Sequence, residues 1–129
     1  QIEARLCGDL CLNHIVPVAT RYQSQLLDNV LKVSQIFPAE QAKAMNATNL
    51  ALIEKIAENT AFITEHVYSL IGARKVANHL ESEREKAIAY HDNVAPLIEE
   101  IRTHVDKLEM IVDDELWPLP KYREMLFIR

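Results

Sequence analysis

The chain has 129 residues, a formal charge of −5, 49% apolar residues and 26% charged ones, which allows one soluble globular domain and excludes a disordered polypeptide. Two glycines and five prolines are too few for the many turns of a β-sandwich or barrel, and aromatics at 6% leave Leu, Ile, Val and Ala to fill the core. No apolar run approaches the roughly 18 residues that a membrane span needs.

The first apolar series is Leu6, Leu10, Ile15, Val18, Tyr22, Leu26, Leu27, Val30, Val33 and Ile36, with steps of mostly three and four, the helical period. Helix 1 is expected over 1–37. Pro17 lies inside it, so a kink or break is expected at residues 13–16. Phe37-Pro38 ends it, because a proline holds the residue before it extended and suits the first turn of a new helix. The second series, Met45, Leu52, Ile53, Ile56, Ile63, Val67, Leu70 and Ile71, predicts helix 2 over 38–79. Its end is placed near 78–81, with Asn78 as a C′ residue, and a break at Gly72 is the other option. Ser82 with Glu85 reads as a capping box, and Glu81, Glu83 and Glu85 stand where a helix N-terminus favours acids. Ala87, Tyr90, Val94, Leu97, Ile98, Ile101, Val105, Leu108, Ile111 and Val112 then predict helix 3 over 81–116, with a kink at Pro96. Trp117-Pro118-Leu119-Pro120 forbids continuation, leaving a Pro-rich tail over 117–129.

No strand-like alternation or internal repeat appears, so the expected fold is all-α: an elongated antiparallel bundle of three long helices with a Pro-rich C-terminal tail. Helices of 30–40 residues each span roughly 45–60 Å at 1.5 Å per residue.

The charge is uneven. Residues 1–80 carry as many bases as acids, so the whole −5 falls in residues 81–129. That argues against a nucleic acid or an anionic membrane as partner, since both require a basic face. Two cysteines are too few for a disulfide scaffold, and a reduced, cytoplasmic setting is expected. Asn46-Ala47-Thr48 matches a glycosylation acceptor, which matters only in a secreted protein. The opening Gln1, with no leader-like segment behind it, suggests a piece of a longer chain.

Candidate chemistry is sparse. Cys7, Cys11 and His14 fall at i, i+4 and i+7 on one helical face, a spacing compatible with three metal ligands, but no fourth is evident and the same pattern suits a buried stripe of small residues. A di-iron bundle needs Glu-x-x-His, and none of the five histidines has Glu three positions before it. Glu100 and His104, at i and i+4, read as a surface pair rather than an acid–base unit. No glycine-rich phosphate loop and no nucleophile motif is present, so no catalytic, cofactor-binding or metal-binding residue is assigned. Asp113, Asp114 and Glu115 crowd the end of helix 3, where the macrodipole disfavours acids. With Trp117, Pro118, Leu119, Pro120 and Tyr122 they form a candidate docking interface, because a rigid apolar segment with the sole tryptophan is costly to leave in water. Trp117 folding back to cap the bundle is the competing reading, as is a solvated acidic turn offset by Lys107 or Lys121.

Three stretches carry a resemblance. They are Asn13-His14-Ile15-Val16-Pro17 with Arg21-Tyr22-Gln23; Ile101-Arg102 through Asp106-Lys107-Leu108-Glu109; and Asp113-Asp114-Glu115-Leu116-Trp117-Pro118-Leu119-Pro120-Lys121-Tyr122-Arg123-Glu124. Together they resemble the C-terminal region of type III glutamine synthetases. The resemblance implies a parent enzyme that joins ammonia to glutamate using ATP and divalent Mg or Mn, through a γ-glutamyl phosphate, in stacked hexameric rings. It implies a non-catalytic helical domain here, acting in structure, assembly or regulation, with the remainder of the parent chain and neighbouring subunits as partners. The alternative from the residues alone is a free-standing helical interaction module that binds a partner helix in a groove.

Overall fold

The computed structural model describes residues 2–112, and these form three long helical rods with no strand among the described residues. The first rod joins α1 (Ile2–Leu10) to α2 (Val16–Ile36) through a wide π turn at Cys11–Ile15. The second is α3 (Ala39–Asn78), a single helix that runs through Gly72. The third joins α4 (Glu83–Ala89) to α5 (Ala95–Ile111) through a π turn at Tyr90–Val94.

Both π turns have the same cause. Pro17 and Pro96 lack an N–H and would press their rings on the carbonyls of Asn13 and Asp92 in a regular α-helix. Widening the turn relieves that clash: the N–H just before each proline reaches back five residues, from Val16 to the Cys11 carbonyl and from Ala95 to the Tyr90 carbonyl. The rods therefore pass each proline without a break.

Along the first rod the inward positions are Ala4, Gly8, Cys11, Ile15, Val18 and Ala19, all buried. Leu6, which the periodicity placed in the apolar series, is 63% exposed. Small residues let α1 approach α3 closely: a Cβ on Gly8 would sit 3.6 Å from Val67 Cγ1.

The reversals have local chemical causes. Phe37 is extended (ψ 154°) before Pro38, and Ala42 N–H donates to the Pro38 carbonyl at 2.8 Å, opening α3. Asn78 remains helical rather than taking a left-handed C′ position. His79 (φ −85°, ψ −6°) closes the helix instead, its N–H reaching the Lys75 and Val76 carbonyls at 3.2 Å. Ser82 Oγ accepts the Glu85 N–H at 3.2 Å, with Glu83 and Glu85 in the first turn of α4 where the helix dipole favours them. The last described helix closes at Ile111, with Val112 extended (ψ 143°); the remainder of the expected helix 3, residues 113–116, lies outside the described residues.

Cross-rod contacts set the directions. Gln23 Nε2 donates to the Ile53 carbonyl and Asn49 Nδ2 to Asn29 Oδ1, both at 3.1 Å, so α2 and α3 run antiparallel. Phe62 meets His104 and His66 meets Glu100, so α3 and α5 do too. The first and third rods therefore run the same way, tied by Arg102 to Glu3 at 3.2 Å.

The core lies where all three rods overlap, around Ile15, Val18, Ile56, Ile63, Val67, Leu70, Val94, Ile98, Ile101 and Leu108. Each such side chain contributes about 1.5–3 kcal/mol on leaving water. Among the described residues the third rod reaches no further than Leu52, and α2 and α3 continue from there towards Pro38 as a two-rod arm. The arm is where Leu27, Leu31, Ile36, Met45 and Leu50 stand exposed.

Candidate docking surface

The residues proposed for docking, Asp113, Asp114, Glu115, Trp117, Pro118, Leu119, Pro120 and Tyr122, lie outside the described residues. The residues just before them are described. Val112 is buried, and its N–H donates to the Leu108 carbonyl at 2.9 Å. Alongside, a groove opens between α3 and α5, with Leu52, Phe62, Met110 and Ile111 as its apolar lining and Lys55, Glu58 and Lys107 at its polar edge. The last described residues thus lie at the boundary between the three-rod body and the two-rod arm.

The cysteine–histidine face does not assemble as three ligands. Cys11 is buried, Cys7 half-buried and His14 exposed, the inward stripe running through Gly8, Cys11 and Ile15. The Cys11 thiol donates to Cys7, and this hydrogen bond holds the Cys7 thiol below its usual range, against burial and with help from Arg102. The same bond, together with burial, pushes the Cys11 thiol up. Among the described residues no three His, Cys, Asp or Glu side chains gather as a metal site.

Glu100 and His104 are linked differently from a carboxylate–imidazole pair. His104 Nδ1 lies 2.9 Å from the Glu100 main-chain carbonyl, while the Glu100 carboxylate crosses to His66 Nε2 at 3.2 Å. Phe62 is stacked between the two imidazoles, with ring centroids 3.6 Å from His66 and 3.5 Å from His104. Periodicity does not reveal this cluster, because it depends on the register between α3 and α5. The only sequence signal is the i, i+4 spacing of Phe62 with His66 and of Glu100 with His104.

Inside the arm, Asn46 is buried. Its Nδ2 donates to the Val30 carbonyl at 3.3 Å and to Ser34 Oγ at 3.2 Å, and its Oδ1 has no partner. A polar group in that seam ties one register of α2 against α3. Among the described residues no helix is long and apolar enough to cross a membrane.

No family model matches the chain. Over all 129 residues it is 50% identical to a glutamine synthetase of Bacteroides fragilis (strain YCH46). It is 26% identical, again over 129 residues, to a type-3 glutamine synthetase of Dictyostelium discoideum. The chain spans 18% of the length of each relative, and it aligns to a C-terminal segment.

Proposed function

We propose that this chain is the non-catalytic helical C-terminal domain of a glutamine synthetase, serving the structure, assembly or regulation of the parent enzyme. The observation that carries the reading is 50% identity maintained across all 129 residues to a segment making up 18% of such an enzyme. The parent reaction, ATP-dependent ligation of ammonia to glutamate, then belongs to the rest of that chain, together with ATP and Mg or Mn.

The described residues do not fit those groups. Gly8 lies within α1 against Val67, and Gly72 lies within α3, so neither opens a loop that could cradle phosphates. Cys7, Cys11 and His14 do not converge. No step of the ligation is assigned to a side chain here.

In this reading the partners are the remainder of the parent chain and neighbouring subunits, met through Asp113, Asp114, Glu115, Trp117, Pro118, Leu119, Pro120 and Tyr122. The acidic last third disfavours nucleic acid and anionic membrane, and the setting is cytoplasmic. The test is Trp117→Ala in the full-length parent, read by sedimentation. Weakened assembly, with the isolated 129-residue chain still fully helical, supports docking. Equal loss of helix in the isolated chain assigns Trp117 to capping the bundle instead.

A further inference from the structure

We propose that the two-rod arm is a self-association surface, on which a second copy of this chain packs antiparallel to complete a four-helix bundle. The surface is the side of the arm turned away from the third rod. Leu52 lines the groove against α5, and Leu50, two residues earlier, is turned about 160° from it round α3. Lys43, Ala47, Leu50 and Glu54 follow one another at steps of four, three and four, the spacing of a packing seam, and all four are exposed. Leu27, Leu31 and Ser34 do the same on α2, at steps of four and three. The two stripes meet where Ser34 Oγ accepts from Asn46 Nδ2 at 3.2 Å, since Asn46 stands one turn from both Lys43 and Leu50. The Asn29–Asn49 hydrogen bond, at 3.1 Å, sets which residues of the two helices are level.

The occupant follows from the symmetry of the stripes. A two-fold axis running across both helices between Thr48 and Asn49 puts Lys43 of each copy opposite Glu54 of the other. The same axis puts Ala47 opposite Leu50, small against large. Asn29, level with Asn49, is midway between Leu27 and Leu31, so it also puts Leu27 opposite Leu31. Charge and shape match themselves about one axis, which is what an isologous contact requires. A partner of another kind gives no reason for three pairs to share one midpoint. Among the described residues neither Lys43 nor Glu54 forms an ion pair, so both are available to the second copy. Leu27, Leu31 and Leu50, 46%, 58% and 43% exposed, supply the apolar surface that pairing removes from water. So few side chains make a contact at the small end of specific interfaces. The dissociation constant is about 10–100 µM, and the chain is monomeric at the low micromolar concentrations of a melting curve. The inference stands independently of the proposed parent enzyme.

Sedimentation equilibrium of the 129-residue chain at low salt, from low micromolar to millimolar concentration, tests it. The wild type moves from monomer to dimer mass across that range. Leu27→Glu with Leu31→Glu stays monomeric throughout while its circular dichroism matches wild type, because both side chains are exposed in the monomer. Lys43→Glu sets two symmetry-related pairs of like charges against each other and weakens the dimer about tenfold, as does Glu54→Lys. The two substitutions together restore it to within about threefold of wild type. A wild type that is monomeric throughout would overturn the proposal, as would a dimer that survives Leu27→Glu with Leu31→Glu, or a double charge exchange as weak as its single components.

Discussion

Replacing Ile63 by Ala removes three carbons from a side chain with 0% exposure where the three rods meet. The transfer contribution is about 0.8 kcal/mol per carbon, and the cavity left in a close-packed centre brings the cost to about 3–4 kcal/mol. For a chain of this length the unfolding entropy is about 0.27 kcal/mol per degree, so the midpoint should fall by about 11–15 °C. Leu31→Ala removes the same three carbons from a side chain that is 58% exposed on the two-rod arm. It should change stability by no more than about 0.5 kcal/mol, and the midpoint by about 2 °C. Circular dichroism melts at 222 nm of both variants, measured together, give the comparison. If Leu31→Ala costs as much as Ile63→Ala, a third layer covers the arm and the division into body and arm is wrong.

Three further outcomes follow from named contacts. Ser82→Ala removes the oxygen that accepts the Glu85 N–H and should cost about 1 kcal/mol, measured by urea denaturation. Asn46→Leu removes the buried, partnerless Oδ1 and should leave stability unchanged or raise it by about 1 kcal/mol; a loss above that would show that its two donated bonds outweigh the orphaned oxygen. Iodoacetamide labelling should modify Cys7 first, with its rate rising at lower pH than for a free thiol, because the bond from Cys11 favours the Cys7 thiolate. Cys11, whose thiol is pushed up by that same bond and by burial, should label only on unfolding, and peptide mass mapping distinguishes the two sites.

The rods were legible because their determinants are local or periodic. Ile98, Ile101, Val105 and Leu108 recur at helical steps, and three of the four are buried with Val105 packed against them. Pro38 and the Ser82–Glu85 pair mark chain reversals through backbone and capping chemistry that needs no tertiary context. What escaped was anything set by register. Leu6 and Met45 belong to apolar series yet stand 63% and 48% exposed, the first because the inward stripe of α1 runs through Ala4 and Gly8, the second because among the described residues the third rod does not reach it. Periodicity says which face of a helix is apolar, not how far its partner extends. Prolines announced a disturbance at Pro17 and Pro96, but not that a five-residue reach of one N–H would carry the rod through. The His66–Phe62–His104 stack joins two helices whose alignment no spacing along one of them encodes. The candidate docking residues Asp113, Asp114, Glu115, Trp117, Pro118, Leu119, Pro120 and Tyr122, read from acids at a helix end and a rigid segment with the sole tryptophan, lie outside the described residues.

The claim that this chain is one domain of a larger ligase is tested most directly by sequencing the DNA upstream of the Gln1 codon. The account predicts an open frame that continues upstream and encodes an ATP-binding ligase in phase with these residues. A start codon immediately before Gln1, with no such frame, would contradict it and leave a free-standing helical module.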